Sequence, residues 1–153
     1  MNDPYSLQRF VGAQAPLFDD VVDELRAGAK RSHWMWFIFP QIAGLGHSDT
    51  ARHFALRSLG EAQAYLRHPV LGPRLIECTR LVLEMHKTRP QRTLRELFGT
   101  PDDLKFHSSM TLFAEAAPEQ PEFPAALALY FDAQPDRATL RLLVEKQGVH
   151  LDH

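Results

Sequence analysis

The sequence predicts an all-α fold, a compact single-domain bundle of about six to eight helices over residues 1–153. Three observations lead there. Helix-start signals recur from end to end, apolar residues return at three- and four-residue spacing, and no stretch alternates with period two between hairpin turns. A chain of 153 residues, 44% hydrophobic and 24% charged, is globular in composition and long enough to bury about two-thirds of its unfolded surface.

Each element has its own punctuation. Asp3-Pro4 reads as a cap followed by proline at the first helical position, opening a short helix through Leu7, Phe10 and Val11. After Pro16 the stripe Leu17, Phe18, Val21, Val22, Leu25 predicts a second helix that stops near Gly28. Residues 30–41 then place two tryptophans and two phenylalanines within six positions. A helix there is apolar nearly all round and must be deeply buried; Pro40 stops it, and Gly44 and Gly46 form a turn before Ser48 caps the next helix. Ser58-Leu-Gly-Glu61 and Thr93-Leu-Arg-Glu96 both have the capping-box pattern.

The longest helix is expected from about Pro69 to Met85, on the stripe Leu71, Leu75, Cys78, Val82, Met85. Thr100-Pro101-Asp102-Asp103 opens another helix, with Thr100 as cap and two acids against the dipole, carrying Phe106, Met110 and Phe113. Pro118 to Pro124 is a connection between helices. Two further segments follow, through Leu127, Tyr130 and Phe131, and through Leu140, Leu143 and Val144 after Asp136. The tail beyond Gly148 is expected to fray.

Composition excludes several functions. With 17 basic against 19 acidic residues, the chain lacks the general basic excess of a protein that binds nucleic acid through many phosphates, although local basic patches are compatible with it. The longest apolar run, Trp34 to Phe39, is too short to span a bilayer, so no membrane partner is expected. Cys78 is the lone cysteine, which leaves no intramolecular disulfide; on its apolar stripe it reads as a buried thiol. The N-terminus has no apolar signal core, and a cytoplasmic location is expected. No histidine spacing, including His47, His53, His150 and His153, matches a metal motif, so neither a metal nor a cofactor is expected.

The 30–41 segment, with Gly44-Leu-Gly46, His68-Pro-Val-Leu-Gly-Pro-Arg-Leu75 and Asp103-Leu-Lys-Phe-His-Ser-Ser-Met-Thr-Leu-Phe113, resembles the DUF1810 family over nearly the whole chain. Its members are uncharacterised bacterial and fungal proteins, some of them mislabelled calpastatin. The resemblance implies an all-α domain of about this length and supplies no reaction, substrate or catalytic residue. The plan is also faintly similar to that of NADAR-type helical N-glycosidases, without motifs that align residue by residue.

The chemistry must therefore be read from the residues. Lys30 and Arg31 can bind an anion, Arg as a planar fork and Lys as a point charge. Ser32 suits a helix cap whose neighbouring N–H groups add donors. Trp34 and Trp36 can form a stacking wall, and Gln41 offers a donor and an acceptor. His33 is the candidate acid–base residue, because imidazole titrates near neutrality. On the later helix Lys105, Ser108 and Ser109 share a stripe beside the apolar face. The plainer alternatives are a tryptophan core, cations that cap helix ends, and small serines that let helices approach. The reading that unites the set is one pocket for a small anionic, phosphorylated or nucleotide-like metabolite, with metal-independent hydrolase or N-glycosidase activity as its catalytic form. Its rival is a non-catalytic binding module whose aromatic motif is core. His68 and Arg74 could approach the same pocket, and oligomeric state is left open.

Overall fold

A computed structural model describes residues 2–147, so the tail after Gly148 lies outside the described residues. Among the described residues ten helices follow one another: α1 (Gln8–Gln14), α2 (Phe18–Ala27), α3 (Met35–Ile38), α4 (Asp49–His53), α5 (Leu59–Arg67), α6 (Leu71–Thr88), α7 (Leu94–Phe98), α8 (Asp102–Ala116), α9 (Glu122–Phe131) and α10 (Arg137–Gln147). That exceeds the six to eight expected. Start or stop signals mark the shortest of them, α3, α4 and α7, but at four or five residues each they repeat no 3.6-residue stripe and are under-counted. Among the described residues no strand forms; Ile42 and Leu56 make an isolated parallel bridge. None of these helices is long and apolar enough to cross a membrane.

The local signals act as side-chain chemistry requires. Gly28 closes α2 in the left-handed region (φ 72°), and its N–H reaches the Glu24 and Leu25 carbonyls. Ser48 caps α4, and Thr93 with Glu96 makes a complete capping box on α7. Ser58 caps α5, but Glu61 does not return the bond to Ser58; its carboxylate accepts from the Arg57 N–H and from Arg9 instead. His68 Nδ1 accepts from the Val70 and Leu71 N–H groups, so the imidazole serves as the side-chain cap of α6.

Three expected helix starts differ. The Asp3 carboxylate does cap, but it accepts from Leu7 and Gln8, and α1 begins at Gln8 after a turn. The Thr100–Pro101 bond is cis, and α8 starts at Asp102 without a side-chain cap. Ser32 caps nothing: α3 begins three residues later, behind Trp34, because the Ser32 hydroxyl is bonded to Glu24.

α8 is the central helix and packs against α5, α7, α9 and α10, while α6 packs against α2, α5 and α9. With neighbours on several sides, α8 buries Phe106, Met110, Leu112 and Phe113 along with Ser108, Ser109 and Thr111. The aromatic segment fills the space beside it. Trp34, Phe39, Phe98 and Phe106 meet largely edge to face at centroid distances of 5.1–6.5 Å. One contiguous apolar core runs from Leu7 to Leu143.

Candidate functional site

The turn between α2 and α3 presents the motif residues, and one carboxylate that lies outside the motif shapes it. Glu24 lies near the end of α2, and beyond the left-handed Gly28 residues 31–34 return to its carboxylate. Its Oε1 accepts the N–H of Arg31 (2.7 Å), the N–H of Ser32 (3.0 Å) and the Trp34 indole N–H (2.9 Å), while Oε2 accepts the Ser32 hydroxyl (2.7 Å). Burial pushes the Glu24 carboxyl up, but these hydrogen bonds outweigh it and hold it at about 2. The carboxylate thus locks residues 31–34 and allows Trp34 to be fully buried with its one polar atom satisfied.

Beyond this knot two lysines, 75 positions apart in sequence, converge. Lys30 Nζ lies 2.9 Å from Asp102 Oδ2, and Lys105 Nζ lies 3.3 Å from Asp102 Oδ1. The Lys30 N–H donates to the Leu97 carbonyl (2.7 Å), fixing its backbone against α7. Each ammonium also lies over an indole, Lys30 at 5.0 Å from Trp34 and Lys105 at 4.6 Å from Trp36. The Lys30 side chain is only 8% exposed, those of Asp102 and Lys105 about a fifth. Two cations share one carboxylate, so the cluster keeps an excess of one positive charge.

The other predicted residues are arranged differently. His33 is exposed, and the bonds that organise its turn go to its neighbours, not to its ring. Arg31 is exposed, with its backbone on Glu24. Gln41 and Trp36 help to line a recess of about 10 Å³, room for about one water. The Gln41 carbonyl accepts the Leu56 N–H.

Ser108 and Ser109 sit behind Lys105, facing other elements. The Ser108 hydroxyl reaches Asp136 Oδ2 (3.2 Å), which also accepts the Thr139 N–H and hydroxyl at the start of α10. Ser109 is fully buried and its Oγ has no hydrogen-bond partner among the described residues. Arg74 approaches Gln14 (3.3 Å) and covers the Phe18 ring. Cys78 is buried and its thiol is pushed up to about 12, chiefly by that burial, so it stays protonated. Among the described residues no three His, Cys, Asp or Glu side chains gather as metal ligands.

Sequence reasoning did not single out Glu24, Asp102 or Asp136 as organisers. A signal existed for Glu24, a carboxylate one turn before a left-handed glycine and just ahead of unpaired N–H groups. For Asp102 and Asp136 it did not, since their partners come from distant segments.

Comparison with known proteins agrees with this architecture. The chain is similar to the conserved hypothetical protein Rv1873 of Mycobacterium tuberculosis, whose crystal structure superposes with a TM-score of 0.87 at 55% identity, covering 93% of this chain and 99% of that one. No curated protein matches the chain. The family model described as a protein of unknown function, DUF1810, matches residues 4–143, so the chain belongs to the DUF1810 family.

Proposed function

We propose that the chain binds a small anionic metabolite, phosphorylated or nucleotide-like, at the Lys30–Asp102–Lys105 cluster. The observation that supports this reading is the meeting of Lys30 and Lys105 on one carboxylate. Each ammonium has three N–H donors, and Asp102 sets one oxygen against each, Oδ2 against Lys30 and Oδ1 against Lys105. The remaining donors and the uncompensated charge suit a phosphate, and the Trp36 ring beside Lys105 suits a flat group attached to it. Of the predicted set, Lys30, Lys105 and Trp36 form this site. Ser32, Trp34, Ser108 and Ser109 act as its support, through Glu24, Asp136 and the core. Binding without turnover is the better reading. Hydrolytic or N-glycosidic chemistry needs a positioned acid or base, and among the described residues no hydrogen bond orients the His33 ring.

Thermal shift and calorimetry with pyrophosphate test the site. Lys105→Ala is expected to weaken binding at least tenfold (about 1.4 kcal/mol), and Lys30→Met to do the same while keeping the buried stem. Asp102→Asn is expected to tighten binding, because the carboxylate competes with the ligand for both ammoniums. Pyrophosphate affinity unchanged in all three variants would refute the assignment.

A further inference from the structure

A second place in the fold has the makings of a site, on the side formed by the N-terminal segment and the start of α5. A cleft of about 350 Å³, within the range of small-molecule pockets, is lined by Tyr5, Ser6, Arg9, His53, Arg57 and Ser58, with Pro4 and Glu61 completing it. We propose that this cleft binds a small phosphate monoester, independently of the lysine cluster.

Arg9 builds the walls. Its guanidinium donates to the carbonyls of Tyr5 (2.6 Å), Ser6 (2.9 Å), His53 (2.8 Å) and Ala55 (3.0 Å), and to Glu61 Oε2 (2.9 Å). All five of its N–H groups are spent, so Arg9 joins three chain segments and offers a ligand nothing. Ser6 is held at φ 53°, a left-handed conformation that a residue with a Cβ adopts rarely, and the bond from Arg9 keeps it there. The cleft is therefore a fixed shape.

The charge and donor balance indicates the ligand. The carboxylate in the cleft, Glu61, is buried and already saturated on both oxygens, by Arg9 and by the Arg57 N–H. The Arg57 guanidinium makes no ion pair among the described residues and is exposed beside it. The His53 ring is set edge-on against Phe54 at 4.6 Å. The Ser58 hydroxyl accepts the Glu61 N–H and keeps its own proton to donate. Tyr5, 39% exposed, adds a hydroxyl and an apolar ring. Donors thus outnumber unsatisfied acceptors. With the two arms of the Arg57 fork counted separately, Tyr5, His53 and Ser58 bring the donors to about five, beyond the roughly four lone-pair sites of a carboxylate, whereas the three terminal oxygens of a phosphate monoester can accept from them all. Arg57 supplies the fork, and Tyr5 covers the organic part.

Calorimetry on the full chain with phenyl phosphate, with amide NMR to locate the contact, tests this. The expected result is saturable binding that shifts the amides of Tyr5, Ser6, Arg57 and Ser58. Arg57→Ala weakens it at least tenfold and Tyr5→Phe weakens it measurably, while Lys105→Ala leaves it within twofold. Arg57 and Tyr5 are exposed, so both variants fold. Absence of saturable binding overturns the proposal, as does binding that Lys105→Ala abolishes and Arg57→Ala spares.

Discussion

At the scale of single residues, Glu24 decides most. Its carboxyl falls from an ordinary 4.5 to about 2 on folding, so the stabilisation is fully present above pH 4.5 and is lost as pH falls towards 2. Glu24→Gln should cost roughly 2 kcal/mol at neutral pH, after allowance for solvent screening of a partly exposed carboxylate, and should flatten the acid limb of the stability profile. Chemical denaturation of both proteins between pH 2 and 7 checks it; parallel profiles would remove Glu24 from this role. The two tryptophans divide. Trp34 is fully buried with its indole N–H on Glu24, so Trp34→Ala should cost on the order of 3–5 kcal/mol. Trp36, half-buried under Lys105, should cost less. Ser109 offers the opposite case. Its buried hydroxyl is unpaired, so Ser109→Ala should be neutral or stabilising by up to about 1 kcal/mol, whereas Ser108→Ala should destabilise by about 1 kcal/mol through loss of the bond to Asp136. Equilibrium unfolding of the two variants separates them.

At the scale of elements, the junctions carry the specificity. α5 and α6 meet so closely at Gly72 that a Cβ there would collide with the Leu66 carbonyl. Gly72→Ala, normally helix-favouring, should here destabilise by about 2 kcal/mol or more, read as a lower Tm. α10 is fastened in a different way: Asp136 bonds Ser108 and Thr139, and the Asp136 N–H donates to the Thr111 hydroxyl (2.8 Å). His107 stacks on Phe131 at 3.9 Å and bonds the Gln134 carbonyl, closing the α9–α10 turn. Ser108 looks like a site residue when read along α8 alone. Its hydroxyl, like that of Thr111, instead bridges to Asp136 ahead of α10, because a central helix spends its small polar groups on its neighbours. The aromatic segment shows the same dependence. Read in isolation it predicts a longer buried helix, but only Met35–Ile38 is helical, since the Glu24 bonds hold residues 31–34 in a turn.

At the scale of the whole molecule, one contiguous core linking α1 to α10 predicts a single cooperative unfolding transition with a helix-dominated circular dichroism spectrum. Two separated transitions would reveal independent units. The sequence by itself determined the helical class, because caps such as Ser48, Ser58 and Thr93 and the Leu71–Met85 stripe are local and act within one or two turns. It also determined the burial of the aromatic segment, since so many adjacent apolar side chains have nowhere else to go. The short helices α3, α4 and α7 show in the sequence only through their flanking signals, Ser48 and Thr93 among them, because four or five residues span little more than one turn and repeat no stripe. Only the tertiary structure brought Lys30 and Lys105 onto Asp102, turned Ser32 towards Glu24 and sent Ser108 to Asp136. Those pairings join residues up to 75 positions apart, and side-chain spacing along one helix carries no information about which charge another helix will bring against it.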